Sequence, residues 1–367
     1  MKSEWSPKFH LLIPFDKNLS SNSDHLLALD ETMRLEHHYV PVKMSLCAVG
    51  VVCNILAILG LKVHGKKFRT SDKLLLTLSI WDLLFLFTRM CQYTLFELYS
   101  YGEAGSRYCA VVFFLYIFVM SLSRLTFMIS LACTILVVLE RCVCCFMPVK
   151  MMGFYNKKRI ALVILSTVLV PMLVYTPEVA IYLCIYDVYP HSVMNTNLHT
   201  RWVLCSDMDQ FDTLVTVTVI SRIGYKFLGW LALLVLDSIL IHRLCVGARA
   251  ARRLFSHQKQ GSAKSVHHLG YRYRERSLTA AVVSMVVVSL VAYPVTGLAW
   301  AMSYLQLGWR GLVDPRLKTM LEETGRLFQI INSSTNVLFL IIFGSRFRKN
   351  LRSKLCCVKY TADQWRS

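Results

Sequence analysis

The chain has 367 residues, of which 55% are apolar and 17% charged, with a formal net charge of +19 at pH 7 and a mean hydropathy of +0.47. Soluble domains carry about a quarter charged residues, so the pair of soluble domains that this length would otherwise suggest is excluded. The apolar residues fall into long unbroken runs, the mark of an integral membrane protein; the basic surplus, placed as described below, does not point to a nucleic-acid partner.

Residues 1–38 form an expected extracellular N-terminal segment. It lacks the basic start, apolar centre and small-residue cleavage pattern of a secretory leader, so the first span is expected to act as its own insertion signal. The sequon Asn18-Leu19-Ser20 offers a glycosylation site at Asn18. A helix needs about 20 apolar residues to cross the hydrocarbon layer, and seven stretches meet or approach this: 39–61, 74–96, 108–139, 160–184, 214–241, 278–307 and 320–343. Arg124 interrupts the third, and Arg222, Lys226 and Asp237 the fifth. In lipid only helices and closed barrels satisfy the backbone, and continuous rather than alternating apolar runs select helices. The expected fold is an all-α membrane protein, a seven-transmembrane helix bundle over 39–343. Residues 344–367 form a cytoplasmic tail, and Gly247 to Tyr273 a mobile polar loop between spans five and six.

Lys and Arg concentrate in cytoplasmic loops. Of the 41 basic residues, 26 lie in 62–73, 141–159, 243–276 and the tail after 343, nine lie on the opposite side, and six lie inside spans. The N-terminus is therefore expected outside and the C-terminus inside, with the basic face against lipid and partners. Fifteen of the 22 acids fall on the outer side. Such a rim would steer a cationic ligand, or is simply what the orientation rule leaves.

Ionisable and polar residues within spans are costly and suggest function. Asp82 sits mid-span in Leu78-Ser79-Ile80-Trp81-Asp82, and Asn54, Ser130, Asn332, Ser333 and Asn336 lie at similar depth. One carboxylate among neutral oxygens suits a small hard cation such as sodium; a protonated Asp in a hydrogen-bond network is the alternative. Glu140-Arg141 lies at the inner end of the third span, where it could serve as a headgroup anchor.

Glu140-Arg141-Cys142 with Pro148 seven residues after the Arg resembles the Glu/Asp-Arg-Tyr motif of rhodopsin-like (family A) G-protein-coupled receptors. Asn332-Ser333-Ser334-Thr335-Asn336, followed by Phe343-Gly344 and Phe347, is similar to that family's seventh-helix and eighth-helix segment, in the variant found in FMRFamide-type and other invertebrate neuropeptide receptors. Asn54, Asp82 and Pro294 resemble its markers in helices one, two and six, and Ser130 stands where its sodium pocket takes a serine. The resemblance covers about residues 39–357. It implies a switch in which Arg141 rests on Glu140 and swings towards a heterotrimeric G protein as helix six moves about Pro294, with Asn336 as a further element. It also implies a sodium site of Asp82, Ser130, Asn332 and Asn336, a Cys109–Cys205 disulfide with Cys184 as rival, and a short amphipathic eighth helix carrying palmitoyl groups on Cys356 and Cys357. Cys109 lies 32 residues before Arg141, about two turns more than the family spacing. The motifs also depart elsewhere: Cys142 replaces the motif tyrosine, Val337 and Leu340 replace the seventh-helix proline and tyrosine, and Ala292 the helix-six tryptophan. Helix five lacks its proline and helix four its tryptophan. A receptor with little G-protein coupling therefore stays open beside a fully coupled one.

Within that resemblance, Ser123 stands where amine receptors hold Asp and Ile330 where opsins hold Lys, which disfavours both ligand types. The outer halves of the spans carry Arg89, Arg124, Glu178, Arg222, Lys226, Glu322, Glu323 and Arg326 with Tyr93, Tyr116, Tyr304 and Gln329. Arg124, Glu178, Arg222, Glu322 and Arg326 are the ligand-binding candidates. A mixed-sign, aromatic cavity suits a cationic extracellular peptide with an amidated or carboxylate end, held by charge-assisted hydrogen bonds; mutual pairing or snorkelling is the alternative. An enzyme is not expected, because no metal-ligand spacing or Ser/His/Asp set gathers at one depth. A channel or transporter, the other alternative, would call for broken helices or rings of like charge, and no repeat is visible. The expected setting is the plasma membrane, with its lipids, the peptide and the G protein as partners.

Overall fold

The computed structural model describes residues 23–61, 70–101, 107–146, 161–176, 208–257, 279–292 and 315–343, with short pieces at 294–295, 297–298, 347–348 and 351–352. All regular structure among them is α-helical. The helices are α1 (Ser23–Leu61), α2 (Thr70–Tyr101), α3 (Arg107–Phe146), α4 (Ala161–Thr176), α5 (Met208–His257), α6 (Thr279–Ala292) and α7 (Pro315–Phe343).

Among the described residues, four segments are long and apolar enough to cross a membrane: His37–Leu61, Thr70–Tyr99, Val111–Phe146 and Thr216–Val246. The described parts of α4 and α6 are apolar but shorter. In α7 the first half carries Glu322, Glu323 and Arg326, which confines the apolar run to its second half. Packing is inverted relative to a soluble protein. Val52, Phe87, Phe118, Leu173, Leu228 and Ile342 are each more than half exposed, whereas Asn54, Asp82, Arg89, Ser130, Glu140 and Asn336 are buried. Hydrocarbon is the solvent that makes such a surface favourable, because there the polar groups must find partners inside the protein.

Helix α2 packs on α1 and α3, α1 on α7, and α3 on α5, with a smaller contact between α2 and α7. The shared core includes Phe85, Leu86, Ile129, Leu131, Val138, Leu233, Leu240, Val286 and Ile330. Cross-helix contacts fix the directions. On α1 and α7, Lys43 meets Glu323 and Asn54 meets Ser333, so these two helices run parallel. Tyr225 Oη donates to the Met128 carbonyl (3.4 Å) and Cys142 Sγ to the Leu236 carbonyl (3.4 Å), so α3 and α5 are also parallel. Trp230 Nε1 donates to the Leu290 carbonyl of α6 (3.3 Å).

Two glycines explain the close approach of α1 to α7. A Cβ on Gly50 would fall 2.1 Å from Ser334 Oγ, and one on Gly60 would fall 2.4 Å from a ring carbon of Phe347. At both positions the absence of a Cβ lets a side chain, Ser334 or Phe347, pack directly on the α1 backbone. Phe347 is buried, and Arg348 Nη1 donates to the carbonyls of Ile341 (2.7 Å) and Ile342 (2.5 Å), closing the end of α7 as basic side chains do at helix C-termini. The ring of Phe347 thus lies against Gly60 at the end of α1.

One expectation needs correction. The loop expected from Gly247 begins instead as helix, because α5 continues to His257. Its Ala-Arg-Ala-Ala-Arg-Arg-Leu stretch consists of strong helix formers, and its polarity masked that propensity.

Candidate functional site

Three polar layers cross the bundle. At the centre, Asp82 is fully buried on α2 between α3 and α7. Ser130 Oγ donates to Asp82 Oδ1 (2.5 Å) and Asn336 Nδ2 to Oδ2 (2.7 Å), so three helices meet on one carboxyl group. Ser333 lies close to the same group, with its buried hydroxyl making no hydrogen bond of its own. Asn54 Nδ2 donates to the carbonyls of Gly50 (3.0 Å) and Ser333 (2.9 Å), and its Oδ1 is buried without a partner.

These groups can be tested against a small cation. Among the described residues no three His, Cys, Asp or Glu side chains gather, so a transition-metal centre is not built there. A hard monovalent cation asks for less, one carboxylate and neutral oxygens. Asp82, Ser130 and the uncommitted Ser333 hydroxyl fit that demand. Asn336 turns its nitrogen rather than its oxygen to Asp82. Asn332 is not brought onto the carboxylate: one turn earlier on α7, its Oδ1 accepts from Ser289 Oγ of α6 (2.7 Å). Of the expected four-residue set, Ser130 and Asn336 thus lie on Asp82, while Asn332 ties α7 to α6.

The second layer lies towards the far ends of α3 and α5. Glu140 and Arg141 are buried, and Arg141 Nε lies 2.8 Å from Glu140 Oε2. Ser71, in the first turn of α2, donates to Glu140 Oε1 (2.7 Å) and accepts from Arg141 Nη2. Cys144 Sγ adds a contact to Glu140 Oε1 (3.4 Å). A headgroup anchor would sit at the surface; this pair is instead enclosed and clasped by a second helix.

The third layer, at the opposite end, is charged. Lys43 of α1 and Glu323 of α7, both almost completely buried, form an ion pair. The rings of Tyr39 and Tyr93 lie 5.8 and 5.3 Å from Lys43 Nζ, a cation–π setting. Arg326 Nη1 lies 2.5 Å from Glu323 Oε1, and its Nη2 3.6 Å from Glu322. Arg89, buried on α2, donates from Nη1 to Gln92 Oε1 (2.9 Å) and from Nη2 to Gln329 Oε1 (3.2 Å). Its guanidinium lies 5.4 Å from the Phe85 ring centre.

The other expected residues are distributed as follows. Arg124 is partly buried on α3, with Nη2 3.4 Å from Met120 Sδ. Pro294 follows α6 and is exposed. Asn18, Glu178, Cys184, Cys205, Cys356 and Cys357 lie outside the described residues, as do the side chains of Cys109 and Arg222. Cys47, Cys53, Cys91, Cys133, Cys142, Cys144, Cys145 and Cys245 are in the reduced, thiol form.

Sequence reasoning passed over Lys43, Ser71, Gln92 and Ser289. For Lys43 a signal existed, since it is the one charged residue within 39–61 and such residues call for a partner. Ser71 reads as a helix-start residue, which hides its link to α3. No protein-family model and no curated protein sequence matches this chain.

Proposed function

We propose that the chain is a rhodopsin-like, seven-transmembrane receptor of the plasma membrane, with its N-terminus outside and its C-terminus in the cytoplasm, that passes the binding of an extracellular peptide to a heterotrimeric G protein. The observation that carries this reading is the Asp82 carboxyl group, held at once by Ser130 and Asn336 from two other helices. A buried polar junction among three helices is a bistable element. Its hydrogen bonds can be exchanged for others at small net cost, so a ligand with modest preference for one arrangement shifts the population. Asn332–Ser289 couples the same helix to α6. The Ser71–Glu140–Arg141 cluster is the readout, releasing Arg141 towards the G protein when α6 and α5 move. Cys109–Cys205 pairing and palmitoylation of Cys356 and Cys357 belong to the same proposal. So does sodium as a modulator at Asp82, where it would hold the resting arrangement by drawing the neutral oxygens together.

The test is guanine-nucleotide exchange on heterotrimeric G proteins, in membranes carrying the full chain and exposed to a peptide library. Stimulated exchange is expected; ion currents arising without G protein, with no exchange under any peptide, would replace the receptor by a channel. On the same reading, Asp82→Asn is expected to abolish the effect of sodium on agonist affinity, measured by competition binding in sodium against N-methylglucamine buffer. A salt response equal to that of the wild type removes the sodium site.

A further inference from the structure

Arg89 is a buried cation that no neighbour among the described residues neutralises. An arginine side chain stays protonated in a protein and carries five N–H donors. Here its hydrogen bonds go to neutral amide oxygens, those of Gln92 and Gln329, and Nε–H has no partner among the described residues. Among the described residues the nearby carboxylates are engaged elsewhere: Glu323 by Lys43 and Arg326, and Glu322 by Arg326. Arg124 and Arg326 raise the positive potential at Arg89 further. A charge buried without a counter-ion is strongly unfavourable, so the layer is built for a negative group that arrives from outside.

Resting on the receptor reading above, we propose that Arg89 is the anchor for a carboxylate of the ligand, the free C-terminal acid of a peptide, with Arg124 and Arg326 adding to the attraction. The geometry selects this group. Gln92 and Gln329 each accept from one terminal nitrogen of the guanidinium, and Nε–H is left without a partner among the described residues, on the edge where a guanidinium offers a side-on fork. A planar carboxylate matches such a fork with two parallel hydrogen bonds. The buried rings of Phe85 against the guanidinium and of Phe127, 5.3 Å from Phe85 between ring centres, make the surroundings apolar, which strengthens such a pair. An amidated end, the alternative raised by the sequence, would bring Arg89 no charge.

The probe pair is N-acetylphenylalanine and its amide, with inorganic phosphate as a third arm, in thermal unfolding of the detergent-solubilised full chain. The acid is expected to protect at a concentration roughly tenfold or more below the amide, the range of a hydrogen bond to a charged group. Arg89→Gln should erase that preference, and Arg89→Lys, which keeps the charge and loses the fork, should retain only part of it. Without probe, Arg89→Gln should unfold at the wild-type temperature or above it. Equal protection by acid and amide, no protection by the acid, a preference that survives Arg89→Gln, or phosphate outperforming the acid would each overturn the assignment, as would a lowered midpoint for unliganded Arg89→Gln. None of these readouts involves a G protein. Acid selectivity in a chain that never stimulates exchange would therefore overturn the receptor reading alone, and exchange driven equally by free-acid and amidated peptides would overturn the carboxylate anchor alone.

Discussion

Arg141→Ala is expected to cut agonist-stimulated nucleotide exchange by about tenfold or more, the scale of a typical coupling free energy between sites, while leaving the amount of protein at the cell surface near that of the wild type. The two halves of this expectation come from the same geometry. Arg141 contributes its charge to Glu140 and Ser71, and on the receptor reading it is the group that leaves this clasp. Its removal takes the counter-charge from buried Glu140, a cost that the remaining hydrogen bonds to Oε1 from Ser71 at 2.7 Å and Cys144 at 3.4 Å offset in part. Surface labelling beside the exchange assay separates the two effects. Undiminished exchange by the variant would reduce the cluster to a clamp between α2 and α3.

Glu323→Gln is expected to lower stability by about 3–5 kcal/mol, the usual result of removing one partner from a buried ion pair. Lys43 is fully buried, and the substitution takes away the carboxylate against which it lies. Lys43→Met should cost less, because Glu323 keeps Arg326 at 2.5 Å. The double variant Lys43→Met/Glu323→Met should recover most of the loss, since apolar replacement of a whole buried pair is often neutral or better. Thermal unfolding of the detergent-solubilised chain measures all three. A wild-type midpoint for Glu323→Gln would mean that water reaches the pair and screens it.

The central layer was largely legible in the sequence, and the charged layer was not. Asp82, Ser130 and Asn336 stood out because each is polar inside an apolar run, and burial in the bundle then leaves them little choice but one another. Asn332 belonged to the same expected sodium set, yet its side chain turns to α6 rather than to Asp82. Periodicity places Asn332 and Asn336 one turn apart but not which neighbouring helix each faces, and Ser289 of α6 takes the first. Lys43 and Glu323 are 280 positions apart; a chain pattern shows that each needs a partner without saying which. The state of Arg89 was still harder to read, since its two partners are neutral glutamines and sequence signs of charge pairing look for acids. Helix existence was clear from apolar runs, while the extent of α5 to His257 depended on propensity in a stretch whose polarity suggested a loop.

The seam between α1 and α7 has a mechanical consequence. Gly50 and Gly60 leave no gap against Ser334 and Phe347, and Asn54 stitches the two backbones together. A helix clamped at three heights cannot slide or tilt by itself, so α1 and α7 form a single stiff stave. Whatever bends when this protein works must hinge on the other side of Asp82, where Trp230 of α5 reaches the Leu290 carbonyl of α6.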